Sequence, residues 1–237
     1  MVDADRVVNI SAGQATLHRY DPSGDFMGSF PLHERAPGSQ LVIGRDGALV
    51  FTARGPLGLE VVTWRPGDPE LTVLRAPRPF VRGGLLLAAS EDGEVWLAEP
   101  ETYAVHRIDL ATGMSDLTVR REAPWFLAEG SAPAQLSRLA ADRRGLVWMV
   151  SSAPAPDAPS GPLPEFQDPG EALGSTALSR YRDNRIEVVS SEGHLVASRV
   201  FEDVRMSPTP ITARFWYLEP HDEPGVILIL VATLEDP

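Results

Sequence analysis

The chain has 237 residues, 43% of them hydrophobic, with 22 prolines and 20 glycines. That is enough apolar material for a packed core, and turn-formers this frequent favour many short strands over long helices. A formal charge of −12 repels phosphate backbones and so argues against nucleic-acid binding, while the lack of cysteine excludes a disulfide framework, a thiolate zinc site and a cysteine nucleophile.

The predicted elements recur along the chain as strands that can be lettered A to D. Segment 3–34 reads as strands B, C and D without an A, with Leu17-His18-Arg19-Tyr20 entering the turn Asp21-Pro22-Ser23-Gly24. Segment 39–77 supplies a full set. Leu41-Val42-Ile43, the turn Asp46-Gly47 and Leu49-Val50-Phe51 are followed by Val61 to Gly67, and Gly55-Pro56-Leu57-Gly58 is a turn between strands. Segment 83–123 repeats the pattern with Leu85-Leu86-Leu87, Asp92-Gly93, Val95-Trp96-Leu97 and Val105-His106-Arg107-Ile108 leading to Gly113. Segment 135–204 repeats it again with Leu136 to Ala140, Arg144-Gly145, Val147-Trp148-Met149 and Ile186 to Gly193. The last segment, 205–235, reads as a weak A strand, a B strand at Phe215-Trp216-Tyr217 and a C strand from Val226 to Leu234. Its Val226 to Ala232 run is of strand length, and nowhere do about 18 apolar residues follow one another as a membrane helix requires.

The turn glycines set the beat. Gly24 to Gly67 spans 43 residues, Gly67 to Gly113 spans 46, and Gly47 to Gly93 spans 46. A period of roughly 40–50 residues holding four strands is that of a β-propeller blade. One such sheet cannot bury both faces alone, so neighbours stack and share apolar side chains. The expected fold is therefore an all-β propeller of four-stranded antiparallel blades in a single domain, 1–237, with about four and a half to five blades present. The two ends together supply more than one blade and less than two, so either the ring closes irregularly or the chain is part of a larger propeller.

Segment 153–176 is inserted in the third full blade. Six prolines and three glycines in its 24 residues predict an extended loop without helix or strand.

The strand–turn–strand units Tyr20-Asp21-Pro22-Ser23-Gly24-Asp25-Phe26 and Ile186-Glu187-Val188 through Gly193-His194-Leu195-Val196-Ala197-Ser198 resemble those of bacterial six-bladed β-propeller proteins related to NHL repeats. Val2 to Phe30, and Arg185 to Val204 followed by Trp216 to Leu234, carry the likeness. A six-bladed member would have a further N-terminal part with a signal sequence and one or two more blades. The resemblance implies a periplasmic or extracellular protein, whereas the N-terminus MVDADRVVNISAG has no basic patch followed by an apolar stretch and predicts no signal peptide.

In such a blade the B–C loops and the D–A connections emerge at one end and the A–B and C–D turns at the other. The insertion, a B–C loop, should therefore share an end with the D–A connections, and that end is the expected binding face because long loops on a rigid scaffold carry function. Its candidate residues are His33, Arg78, Phe80, Trp125, Phe126, Phe166 and His221. Trp125, beside Phe126 in a loop, reads as an exposed anchor, while Trp64, Trp96, Trp148 and Trp216 lie on strands and read as packing between blades. His33 and His221, with Glu219, Asp222 and Glu223, are the residues from which a divalent-cation site could be assembled, but no fixed spacing supports one. No G-x-S-x-G, H-E-x-x-H, P-loop or G-x-G-x-x-G occurs, and adjacent carboxylates such as Glu91-Asp92 and Glu202-Asp203 point to opposite faces of an extended chain. These features favour a binding or interaction scaffold for a protein, peptide or carbohydrate, with no catalytic residue and no cofactor indicated. The alternatives are a metal-dependent propeller hydrolase of the lactonase or esterase type and a truncated, non-functional propeller copy.

Overall fold

The computed structural model describes all residues except 1, 4–5, 12–15, 22, 33–34, 45–46, 57, 66, 79–83, 91, 124, 127–133, 143, 158–181, 203–214, 221–226 and 233–237; for 2–3, 6–11, 19, 36–37, 39, 75–78, 215–220 and 227–232 it describes the backbone alone. The protein is all-β. Its first sheet joins β1 (Val2–Asp3), β2 (Arg6–Ser11), β3 (Thr16–Tyr20) and β4 (Phe26–Pro31), and its second joins β5 (Ala36–Ile43), β6 (Leu49–Gly55), β7 (Gly58–Trp64) and β8 (Thr72–Arg78). The third joins β9 (Leu86–Ala89), β10 (Val95–Glu99), β11 (Ala104–Ile108) and β12 (Ser115–Arg120). The fourth joins β13 (Gln135–Ala141), β14 (Val147–Pro154), β15 (Arg182–Val189) and β16 (Leu195–Phe201), and β17 (Phe215–Pro220) pairs with β18 (Ile227–Ala232). In each four-stranded sheet the strands lie in chain order, the up-and-down meander of a propeller blade.

The chain divides into two compact units, Met1–Glu99 with Val105–Thr118, and Pro100–Ala104 with Val119–Pro237. In the first unit, β6 explains why the B strands read as unbroken apolar runs. Leu49, Phe51 and Ala53 pack with Leu17, Leu32, Val62 and Trp64. The intervening Val50 packs on the opposite side with Val61, Leu74, Leu87, Val95 and Leu97. Successive side chains of a strand point to opposite faces, so a sheet covered on both sides buries every position. The D strands β4, β12 and β16 alternate or lie largely exposed instead, because each is the outer edge of its sheet. In the second unit Ala140, Trp148, Val150, Ile186 and Val188 form a core of their own.

The A–B turns repeat in detail: Gly47, Gly93 and Gly145 have φ of 68°, 75° and 73°. Among the C–D turns, Gly113 is the most constrained. Its φ is 69°, and a Cβ there would come within 2.5 Å of the Leu74 carbonyl oxygen, so neither the turn nor the space admits a side chain. Trp64, Trp96 and Trp148 are buried in the sheets, and two of them use the indole N–H locally, Trp64 to the Asp68 carbonyl at 3.1 Å and Trp148 to Asp142 Oδ2 at 3.2 Å.

Two sequence expectations change. The first sheet has an A strand, although only two residues long, in which Val2 pairs with Val7 and Asp3 with Arg6. The insertion begins later than expected, since Ala153 and Pro154 continue β14 and pair with Asp183 and Arg182. The ladder persists because the Arg182 guanidinium donates to both Ser152 Oγ and the Ser152 carbonyl at 2.8 Å, which ties the return strand to the outgoing one past the proline. Residues 158–181 of the insertion lie outside the described residues.

Candidate binding site

Within the second unit, the B–C turn 100–103, the D–A connection that starts at Arg121 and the first half of β15 converge. The Leu136 amide donates to the Pro100 carbonyl at 2.9 Å and the Arg121 amide to the Tyr103 carbonyl at 3.3 Å. Tyr103 has φ of 47° and is, among the described residues, the one non-glycine at positive φ. That backbone is costly for a ring-bearing residue, and the side chain shows what holds it there. The phenol is buried, stacked on Phe126 with centroids 4.5 Å apart and 12° between planes, and meets Trp125 edge-on at 5.3 Å.

The Tyr103 hydroxyl donates to Glu187, whose side chain is 0% exposed. Burying a carboxylate without partners is costly, and here the partners are present. Arg121 Nε donates to both carboxylate oxygens, at 2.9 and 3.1 Å, and Ser198 Oγ donates to Oε1 at 3.1 Å. The Tyr103 pKa is raised first by burial and then by the hydrogen bond and charge of Glu187, with Arg121 and Arg185 opposing. Burial lowers the pKa of Arg182 on the same strand. Arg185 is half-buried and its guanidinium lies over the Trp125 ring, 4.4 Å from the centroid.

The same device occurs in the first unit. Arg35, on the D–A connection before β5, donates to Glu60 Oε2 at 2.6 Å, and Glu60 is buried on the C strand β7 beside Gly55 of the B–C turn. In each unit an arginine just beyond a D strand neutralises a buried glutamate on the following sheet's C strand. A second recurrence crosses the C and D strands. His18 contacts Ser29 at 2.8 Å, His106 contacts Thr118 at 3.0 Å, and Glu187 accepts from Ser198.

Of the residues expected at the binding face, His33, Phe80, Phe166 and His221 lie outside the described residues, as do Asp222 and Glu223. Arg78 is the last residue of β8, paired with Leu59, and Glu219 lies on β17; the side chains of both are outside the description. Trp125, expected as an exposed anchor, is half-buried beneath Arg185, and Phe126 beside it is 5% exposed. The physical reason is Tyr103, whose ring takes up both. Tyr103, Arg121, Arg185 and Glu187 escaped the sequence reading. An acid inside the apolar run Ile186-Glu187-Val188-Val189 was the available signal, since a charge in a buried strand demands a partner. Among the described residues no group of three or more His, Cys, Asp or Glu lies together as a cation would require, and no helix is long and apolar enough to cross a membrane.

Among the described residues the exposed large hydrophobics, Phe26, Met27, Val73, Met114, Leu195, Val196 and Val200, all lie on D strands or on the turns that lead into them. They mark the outer sheet edges, which form the competing surface.

No family model matches the chain, and no curated protein matches it. Its backbone is similar to that of a member of the DUF4221 family from Bacteroides vulgatus, with a TM-score of 0.64 over 97% of this chain and 75% of that one at 8% identity. Hydrazine synthase of Kuenenia stuttgartiensis aligns over 90% of this chain and 58% of its own at 11% identity, with a TM-score of 0.52. The likeness is one of fold. A putative gluconolactonase aligns at 18% identity with a TM-score of 0.47, too distant to bear on function.

Proposed function

We propose that this protein is a non-catalytic binding scaffold that receives its partner at the end of the second unit where the B–C turn and D–A connection meet. One observation carries the reading: Arg185 is held half-buried over Trp125, whose ring is itself packed against Tyr103 and Phe126. Arginine and tryptophan are the side chains most often decisive in interfaces, and a pre-ordered pair loses little entropy when a partner arrives. The net charge of −12 favours solubility.

The test is to select binders from a random displayed peptide library against immobilised protein and to measure each against three variants. Trp125→Ala and Arg185→Ala are expected to abolish most binders, while Val196→Glu on β16 leaves them unchanged. Binders that respond only to Val196→Glu would move the interface to the outer edges. Metal analysis of the purified protein with a panel of lactones and esters runs alongside, and a stoichiometric divalent cation with turnover would replace the scaffold reading by a hydrolase.

A further inference from the structure

Building on that reading of the site, we propose that Arg185 and Arg121 form a receptor for a carboxylate of an acidic peptide segment. Arg121 is matched by Glu187, whereas the one contact of the Arg185 guanidinium among the described residues is the Trp125 ring. Among the described residues the cluster of Arg121, Arg185 and Glu187 therefore holds one positive charge without an ion-pair partner, half-withdrawn from water in a chain of net charge −12. Arg185 and Glu187 are two residues apart on β15 and so share a face of the sheet, and Arg121 binds Glu187, so both arginines belong to that face.

Geometry then selects the ligand. A guanidinium held over an aromatic ring at 4.4 Å spends none of its N–H donors on a carboxylate there, and its donor fork matches the two oxygens of a planar carboxylate. A dianionic phosphate is disfavoured because the buried Glu187 carboxylate sits behind Arg121 and only one charge awaits neutralisation. A sugar acid is disfavoured because sugars bind on open aromatic faces, and Trp125 has Arg185 over its ring with Tyr103 and Phe126 packed at 72° and 81° around it. The net negative field of the chain slows the approach of an acidic ligand, so affinity must come from contact rather than steering.

The experiment is a titration of the isotope-labelled full chain at constant ionic strength, read on the Arg185 Nε–Hε and Trp125 indole N–H resonances. The probes are N-acetylglycine, its neutral amide, sodium glucuronate and methyl phosphate. N-acetylglycine is expected to shift both resonances saturably, the amide not at all, and the other two more weakly. Arg185→Gln is expected to abolish the response, and Arg185→Lys, which keeps the charge but not the fork, to weaken it about tenfold or more. Circular dichroism and the thermal midpoint show that both variants remain folded. Equal response to the amide, to glucuronate or to methyl phosphate, or an undiminished response in Arg185→Gln, overturns the proposal, as does no response to N-acetylglycine. If N-acetylglycine fails while selected peptides still need Trp125 and Arg185, the carboxylate is wrong and the binding face stands; if both fail, both are wrong.

Discussion

Replacing Arg121 by Met strips the fully buried Glu187 of its charged partner while keeping an aliphatic stem of similar length. Breaking a buried pair from one side costs about 3–5 kcal/mol, chiefly because the remaining charge is stranded. Here the Tyr103 and Ser198 donors remain, and Arg121 itself is 35% exposed, so water can reach part of the gap. These lower the expectation to about 2–3 kcal/mol, which in a chain of this size shifts the thermal midpoint down by about 4–12 °C. The double variant Arg121→Met with Glu187→Gln removes the stranded charge yet keeps an acceptor for Tyr103, and should lie within about 1 kcal/mol of the parent. Arg107→Met serves as the comparison. Its partners Asp116 and Glu94 are 48% and 31% exposed, and such surface pairs contribute about 0–1 kcal/mol each. The assay is thermal unfolding followed by circular dichroism and by scanning calorimetry. If Arg121→Met costs no more than Arg107→Met, or if the double variant is worse than the single one, Glu187 is not a desolvated carboxylate held by Arg121.

Tyr103→Phe should lose about 1–2 kcal/mol at neutral pH, because the phenol's hydrogen bond goes to a charged group. The Tyr103 pKa is raised in the folded state, so its contribution is complete below the ordinary phenol value near 10 and drains away as pH rises above it; ultraviolet titration of the four tyrosines should find one that ionises only on unfolding, and Tyr103→Phe should remove it. The Asp109 carboxyl is held below its usual range, first by the Ala111 amide and then by the Thr112 hydroxyl, so its stabilisation is present above the ordinary carboxylate pKa and lost as pH falls through the lowered one; Asp109→Ala should flatten the acid limb of a midpoint-against-pH curve and leave the alkaline limb unchanged. Gly113→Ala should cost clearly more than Gly24→Ala in urea unfolding, since both adopt positive φ but only Gly113 faces a neighbouring backbone, at Leu74. Equal costs would mean that the close approach at Leu74 has no energetic consequence.

The fold was legible because its rules are local. Turn glycines at Gly47, Gly93 and Gly145 and apolar triplets such as Val95-Trp96-Leu97 declare a four-strand period, and the structure repeats both. The expectation for 153–176 placed the start of the insertion slightly early, because proline counts alone do not reveal that Arg182 bonds back to Ser152. The candidate site was legible only as an end of the blades. Trp125 and Phe126 stood out by composition, but what surrounds them comes from residues 103, 121, 185 and 187, which are far apart in the chain and meet within the second unit. No spacing rule links a tyrosine in one B–C turn to a glutamate 84 residues later. The buried acid in Ile186-Glu187-Val188 announces that a partner exists without naming it.

The most direct trial of the binding face is amide hydrogen exchange on the full chain with and without a saturating selected peptide. Slowed exchange at 100–103, 121–126 and 182–187, with the D strands at 26–31, 115–120 and 195–201 unchanged, is the predicted footprint. Protection confined to those D strands would contradict it.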